Sequence, residues 1–191
     1  MIQPLIDHIE TFIPVSTALT TRIQEISDIK DIDKGEFLHK PKRVCENLYF
    51  ITSGLLRIYY QKDSKEITDN FSAEGEWITS LYSFMKNVPD NYYIQTLEKS
   101  ALIIINISHF EKCLQDFPEM ERFARLLVFN HFIRQSERIV SLQFHSAKER
   151  YEYFCQTAAN KLLRVPLGML ASHLGITQET LSRVRAEKTT F

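Results

Sequence analysis

Cysteine is scarce in this 191-residue chain, and its three positions, Cys45, Cys113 and Cys155, stand far apart in sequence. No Cys-x-x-Cys pair occurs, and an odd, scattered set suits reduced thiols better than a disulfide frame or a zinc site. Long apolar runs are missing as well. The longest, Ala101–Ile105, is far short of the roughly 20 residues that a membrane-spanning helix needs. The opening MIQPLIDHIE lacks the basic start and apolar core of a secretory signal. These absences predict a cytoplasmic protein with no membrane partner. A glycine-rich phosphate loop and an alternating βαβ pattern are also absent, so neither a Rossmann nor a P-loop reading stands. No HExxH, H-x-E, ordered Ser/His/Asp or paired-carboxylate arrangement stands out. His8, His39, His109, His131, His145 and His173 are unclustered and read as surface or packed residues. The expectation is a protein that is not an enzyme and holds no metal or cofactor.

What is present is ordinary in amount and informative in placement. Hydrophobic residues make up 44% and charged residues 25% of the chain, which suits one good core, or one core with a small satellite. The net charge is −1, yet from Ala147 onward seven Lys/Arg face four acids, leaving 16 basic and 20 acidic residues in the remainder. A mildly basic tail on an acidic body fits a DNA reader with a separate sensing part.

The strongest pattern lies in residues 166–185. Ala171 supplies a small residue where two helices approach and Gly175 a turn with φ > 0; Leu170, Leu174, Ile176, Leu181 and Val184 fall on the inner faces. That spacing predicts a helix-turn-helix. Pro166 suits a first helical position, Thr177 an N-cap, and Glu179 the first turn of the second helix. The outward residues of that helix are of the types that read base edges. The predicted DNA-contacting set is Thr177, Gln178, Glu179, Thr180, Ser182, Arg183, Arg185 and Lys188. The sequence runs six residues past Arg185, so no wing hairpin is expected within it.

Further upstream, residues 1 to about 30 read as helix in two pieces broken by Pro14. Short β-rich runs follow at Phe37-Leu38, 47–52, 55–60, 66–71, 92–97 and 101–107, separated by turn signals such as Lys34-Gly35 and Ser53-Gly54. Strands of this length and spacing predict an antiparallel barrel or sandwich. After Pro118 a helical pattern continues to about Phe144. It places Phe123, Leu126, Leu127, Ile133, Val140 and Phe144 on one broad side, and Val128, Phe129, Phe132, Ile139 and Leu142 on others. A helix apolar on more than one face must bury more than one. One face covers the β domain, and the expected cover for the other is a second copy of the chain in a two-fold homodimer.

With Lys34-Gly-Glu-Phe-Leu38, Leu48-Tyr-Phe-Ile-Thr-Ser-Gly-Leu-Leu-Arg57 and Leu174-Gly-Ile-Thr-Gln-Glu-Thr-Leu-Ser-Arg183, this order of elements resembles the Crp/Fnr family of bacterial transcription regulators over essentially the whole chain. The resemblance implies an α+β fold. It comprises an N-terminal antiparallel β-roll of the double-stranded β-helix or jelly-roll type, a long dimerisation helix and a C-terminal helix-turn-helix. The corresponding divisions are a cyclic-nucleotide-binding-like sensor at 1–118, the dimerisation helix at 119–145 and the DNA-binding domain at 146–191. It implies double-stranded DNA and a second copy as partners, with RNA polymerase and a small-molecule effector as further ones. Gln178, Glu179 and Arg183 match the family's base-reading positions. The other class of function left open is a ligand-sensing or protein-interaction module whose helix-turn-helix no longer binds DNA.

The chain departs from the cyclic-AMP-binding pattern. Where those members carry Gly-Glu after the turn, this chain has Thr79-Ser80, and the phosphate-pairing Arg falls near Asn91, beside Asp90. Neutral residues replace such charge-assisted contacts poorly, so no cyclic nucleotide is expected to bind. The candidate ligand pocket is Trp77, Thr79, Ser80, Tyr82, Asn91, Tyr92 and Tyr93, though its aromatics also suit plain core, and Lys86 reads as a solvated loop residue. The iron–sulfur cluster of redox-sensing members takes four thiolates, which three cysteines do not supply.

Overall fold

The structure, a computed structural model, describes residues 2–188, with the side chain of Lys188 outside the description. Helices α1 (Gln3–Glu10) and α2 (Thr17–Glu25) lead into strands β1 (Ser27–Ile32), β2 (Phe37–His39), β3 (Asn47–Ser53), β4 (Leu56–Lys62), β5 (Lys65–Ser72) and β6 (Trp77–Ile78). Helix α3 (Leu81–Lys86), strands β7 (Tyr92–Thr96) and β8 (Ser100–Asn106), and helix α4 (Ile107–Asp116) complete the N-terminal part. The long helix α5 (Pro118–Phe144) carries the chain to α6 (Ala147–Thr157), α7 (Ala159–Leu162), α8 (Leu167–His173) and α9 (Gln178–Lys188). The strands form two antiparallel sheets, ordered β1-β8-β3-β6 and β2-β7-β4-β5.

Period-two alternation explains why the apolar runs are continuous. Along β3, Tyr49 and Ile51 point between the sheets, whereas Leu48 and Phe50 point outward under the helices; Leu102 and Ile103 divide in the same way on β8. A strand covered on both faces has no polar face to show. The inner core joins these residues to Leu56, Ile58 and Ile94 of the other sheet. The outer core of the first sheet takes Leu5, Ile9, Leu19 and Ile23 from α1 and α2, and Met120 and Phe123 from α5. A third core, outside the second sheet, joins Leu55 and Phe71 to Phe154, Leu170, Leu174 and Leu181 of the C-terminal helices. Gly54 turns the chain from β3 to β4 at φ 106°, and a β-carbon there would lie 2.7 Å from the Ser100 Cα. Only glycine fits both restrictions.

Three expectations need correction. Residues 27–30 are strand, not helix: β1 pairs with β8 from Ser27↔Ile105 to Ile32↔Ser100. A pairing partner seven strands further along the chain decides this, and local periodicity does not reveal it. Pro166 is the N-cap of α8 with an extended ψ of 139°, not its first helical residue. Its ring fixes φ while its carbonyl still accepts the first turn's bond from Leu170, at 3.0 Å. The apolar residues of α5 also divide differently. Phe123 is fully buried and Leu127 packs against the same core, whereas Ile133, Val140 and Phe144 are exposed with Phe129, Phe132 and Ile139. At 100° per residue, Met120, Phe123, Leu127, Arg134 and Arg138 share one stripe facing their own chain. Phe129, Phe132, Ile133 and Val140 fall on the opposite stripe, left largely uncovered by the described residues.

Candidate nucleic-acid interface and ligand pocket

In the C-terminal part, α8 ends in a turn that closes on itself. The Ile176 N–H donates to the Ala171 carbonyl at 3.0 Å and the Gly175 N–H to the Ser172 carbonyl at 3.1 Å. Gly175 has φ 66°, the left-handed value for which glycine suits the position. Thr177 then accepts the Thr180 N–H at 3.2 Å, which satisfies one of the free donors at the start of α9. Leu181 and Val184 anchor α9 in the third core. Gln178, Glu179, Ser182, Arg183 and Arg185 are exposed, and Thr180 is half-buried. Glu179, Ser182 and Arg183 lie on the face turned from Leu181. The Glu179 carboxyl is held below the usual carboxylate range by its own backbone N–H and the Thr177 hydroxyl. The Gln178 side chain rests near Gly168 of α8. Arg185 hydrogen-bonds to Tyr151, and the predicted contact by the Lys188 side chain lies outside the described residues.

This helix pair is seated on the edge of the second sheet, whose last strand is β5. Ser172 fills that open edge: its hydroxyl donates to the Glu66 carbonyl at 2.7 Å and accepts the Thr68 N–H at 3.0 Å. Arg138 of α5 ties the same place together, donating to the His173 carbonyl at 2.8 Å and the Thr68 carbonyl at 3.2 Å. Lys161, buried, donates to the Phe71 carbonyl at 2.9 Å and to both Glu76 oxygens at 2.6 and 2.8 Å. Arg164 donates to both oxygens of Glu74 at 2.9 Å and also pairs with Glu98. Its guanidinium pulls the Glu74 carboxyl down to about 2.

The candidate ligand residues do not converge. Trp77 faces outward, packed at ring distances of 5.1 Å from Phe50 and 6.2 Å from Phe123. Thr79 spends its hydroxyl on the Asn47 carbonyl at 2.9 Å, and Tyr82 is exposed on α3. Tyr92 meets Tyr60 edge-on while Tyr93 stacks on Tyr59 at 4.8 Å. Only Asn91, Tyr92 and Tyr93 share a cleft, an open one with Pro41, Tyr60, Gln61 and Lys62. Ser80 is buried and bonded to Asp90. The other Asp90 oxygen accepts from the Tyr92 N–H at 3.0 Å and lies 2.9 Å from His39 Nε2. A carboxylate of the chain itself thus occupies the partners at Ser80.

A family model for the cyclic nucleotide-binding domain matches residues 29–117. The solved structure of FixK2 from Bradyrhizobium japonicum superposes with a TM-score of 0.77 at 16% identity, covering 86% of this chain and 85% of that one. A structure assigned to the Crp/Fnr family from Eubacterium rectale gives 0.72 at 20% identity, over 92% and 84%. Residues 29–117, somewhat under half of the chain, are similar to that domain, and the chain shares the fold of both structures. Among curated proteins, electron transport regulator A of Shewanella oneidensis is 24% identical over 185 residues, covering 88% of this chain and 73% of that protein. The anaerobic regulatory protein of Pasteurella multocida is 23% identical over 81% of this chain and 60% of its own length.

Within this Crp/Fnr fold, sequence reasoning missed the residues that seat the helix-turn-helix: Arg138, Lys161, Arg164 and Ser172. Their partners lie on strands far away in sequence, so nothing local marks them. One signal was available at the start of α6. Ser146 and Glu149 have capping-box spacing, and the structure forms both bonds, at 3.3 and 2.7 Å.

Proposed function

We propose that this protein is a sequence-specific, dimeric DNA-binding transcription regulator. The observation that carries the reading is the α9 face, where Glu179, Ser182 and Arg183 stand exposed while Leu181 and Val184 hold the helix to the fold. Arginine's fork matches guanine O6 and N7, and a carboxylate suits the cytosine N4 amine. Arg183 and Glu179 take those roles, with Gln178 as a more adaptable reader. Thr177 and Thr180 lie at the α9 N-terminus, where hydroxyls and backbone N–H groups favour phosphate oxygens. The uncovered stripe of Phe129, Phe132, Ile133 and Val140 on α5 supports a two-fold pairing of long helices. The relatives named above as regulators support the same class. Two recognition helices then read half-sites about 34 Å apart.

The effector is not a cyclic nucleotide in this reading. Asp90 already holds Ser80 and His39, and a phosphate brought there meets a carboxylate instead of an arginine. Selection from random-sequence DNA with the full chain tests the proposal. An enriched inverted repeat is expected, and no enriched sequence at low salt would refute it.

A further inference from the structure

A second cavity, of about 310 Å³, lies where the sensor sheet, the C-terminal half of α5, α6 and the end of α8 meet. Its size is at the lower end of small-molecule pockets. Its charged lining comprises Arg134, Arg138, Arg150, Lys161, Glu76 and Glu137. Most of these are committed to one another or to the backbone. Lys161 is neutralised by Glu76 at 2.6 Å, Arg138 faces Asp69 at 3.8 Å, and Glu137 accepts from the Tyr153 hydroxyl at 3.1 Å. Arg134 and Arg150 are left against the single carboxylate of Glu137.

Two polar atoms of the lining are buried with no partner, Arg150 Nε and His173 Nδ1. Buried polar atoms of this kind are rare enough to call for an occupant. The His173 pKa is pushed down to about 3, first by burial and then by Arg138, so the ring is neutral. Backbone groups at Asp69 and Thr68 lie beside the ring, and Nδ1 is buried without a partner and open to a ligand. Phe71 and Phe154 meet the His173 ring at 5.4 and 5.6 Å and give the cavity an aromatic wall. The opposite wall includes Leu142, which a β-carbon at Gly175 would approach to 3.0 Å.

We propose that this junction is an effector site for a small ring compound bearing a phosphate or carboxylate. The anionic group sits on Arg150 and Arg134, a hydroxyl or N–H of the ligand donates to His173 Nδ1, and the ring lies against Phe154 and Phe71. The site is separate from the interior of the β-roll. It lies on the stripe of α5 opposite Phe132, Ile133 and Val140, so pairing of the long helices leaves it open. Because His173 and Leu174 belong to the helix-turn-helix, an occupant fixes how that unit sits on the sensor. This last coupling, unlike the binding itself, rests on the function proposed above.

Calorimetry on the full chain tests it with two probes, 5′-AMP for the phosphate arm and 4-hydroxybenzoate for the carboxylate arm. The expected result is saturable binding of at least one, one per chain, weakened at least tenfold by Arg150→Gln and by His173→Phe but not by Arg122→Gln on exposed α5 surface. Near-native thermal melts of the variants exclude misfolding as the cause. Saturation by neither probe, or equal binding by native chain and Arg150→Gln, overturns the site. Binding that passes this test without changing DNA affinity overturns only the coupling.

Discussion

Ser172 and Thr68 are joined across 104 positions of sequence by one hydroxyl that accepts a hydrogen bond from the Thr68 N–H and donates one to the Glu66 carbonyl. The pair closes the exposed edge of β5 with a residue of the helix-turn-helix. An open edge is a pairing hazard, so the helix-turn-helix doubles as the cover of the second sheet. Ser172→Ala leaves the Thr68 N–H and the Glu66 carbonyl without that partner, at a cost of about 1–3 kcal/mol. Hydrogen exchange at Thr68 is expected to quicken in the variant while the Phe50 and Ile103 amides stay protected. Equal exchange at Thr68 in both proteins would show that Ser172 does not hold the edge.

Acid is expected to loosen the same seat in two steps. Burial keeps His173 neutral, with its pKa lowered from 6.5 to about 3. The unfolded chain therefore takes up a proton that the folded chain refuses, and stability falls from about pH 6.5 down to 3. Glu74 is held at about 2, below its ordinary 4.5, so its pairing with Arg164 is complete above 4.5 and lost between 4.5 and 2. That pair is partly exposed and is worth only about 0–1 kcal/mol. Thermal melts at stepped pH are expected to show His173→Asn flattening the first limb and Glu74→Gln the second. Three parallel profiles would contradict both assignments.

For the long helix, the two stripes separate association from stability. Ile133→Glu places an unpaired charge on the uncovered stripe, and light scattering at micromolar concentration is expected to show a monomer with a near-native fold. Phe123→Ala empties a core position and costs about 3–5 kcal/mol in unfolding free energy. A monomeric native chain would remove the dimer from the account.

The account also predicts that cyclic AMP finds no site in the β-roll. It is best titrated into Arg150→Gln, which removes the junction cavity from the readout. No saturable heat is expected. Micromolar binding at one per chain, abolished by Ser80→Ala, would show that Asp90 yields its place to a phosphate.

How much of this was legible depended on where each residue's partners lie. The helix-turn-helix could be read because Ala171, Gly175, Leu181 and Val184 constrain one another within a few turns. The span of α5 was legible from Pro118 and the apolar pattern, but not which stripe faces outward, since that depends on the core Phe123 enters. Strand β1 was hidden because Ser27–Ile32 carries three charges and an exposed Ile29, and only its ladder with β8 makes it a strand. The candidate pocket failed to assemble for a similar reason. Trp77 sits on β6, and its pairing with Phe50 sends the indole outward, away from Ser80.

The most direct test of the central claim is to select operators from random-sequence DNA with the native chain and with Arg183→Ala in parallel. The account predicts an inverted repeat for both, with preference relaxed at one position of each half-site in the variant and affinity reduced by about 1–3 kcal/mol. An identical motif from the two proteins would show that α9 does not read bases through Arg183. No motif from the native chain would show that the helix-turn-helix is not a DNA reader.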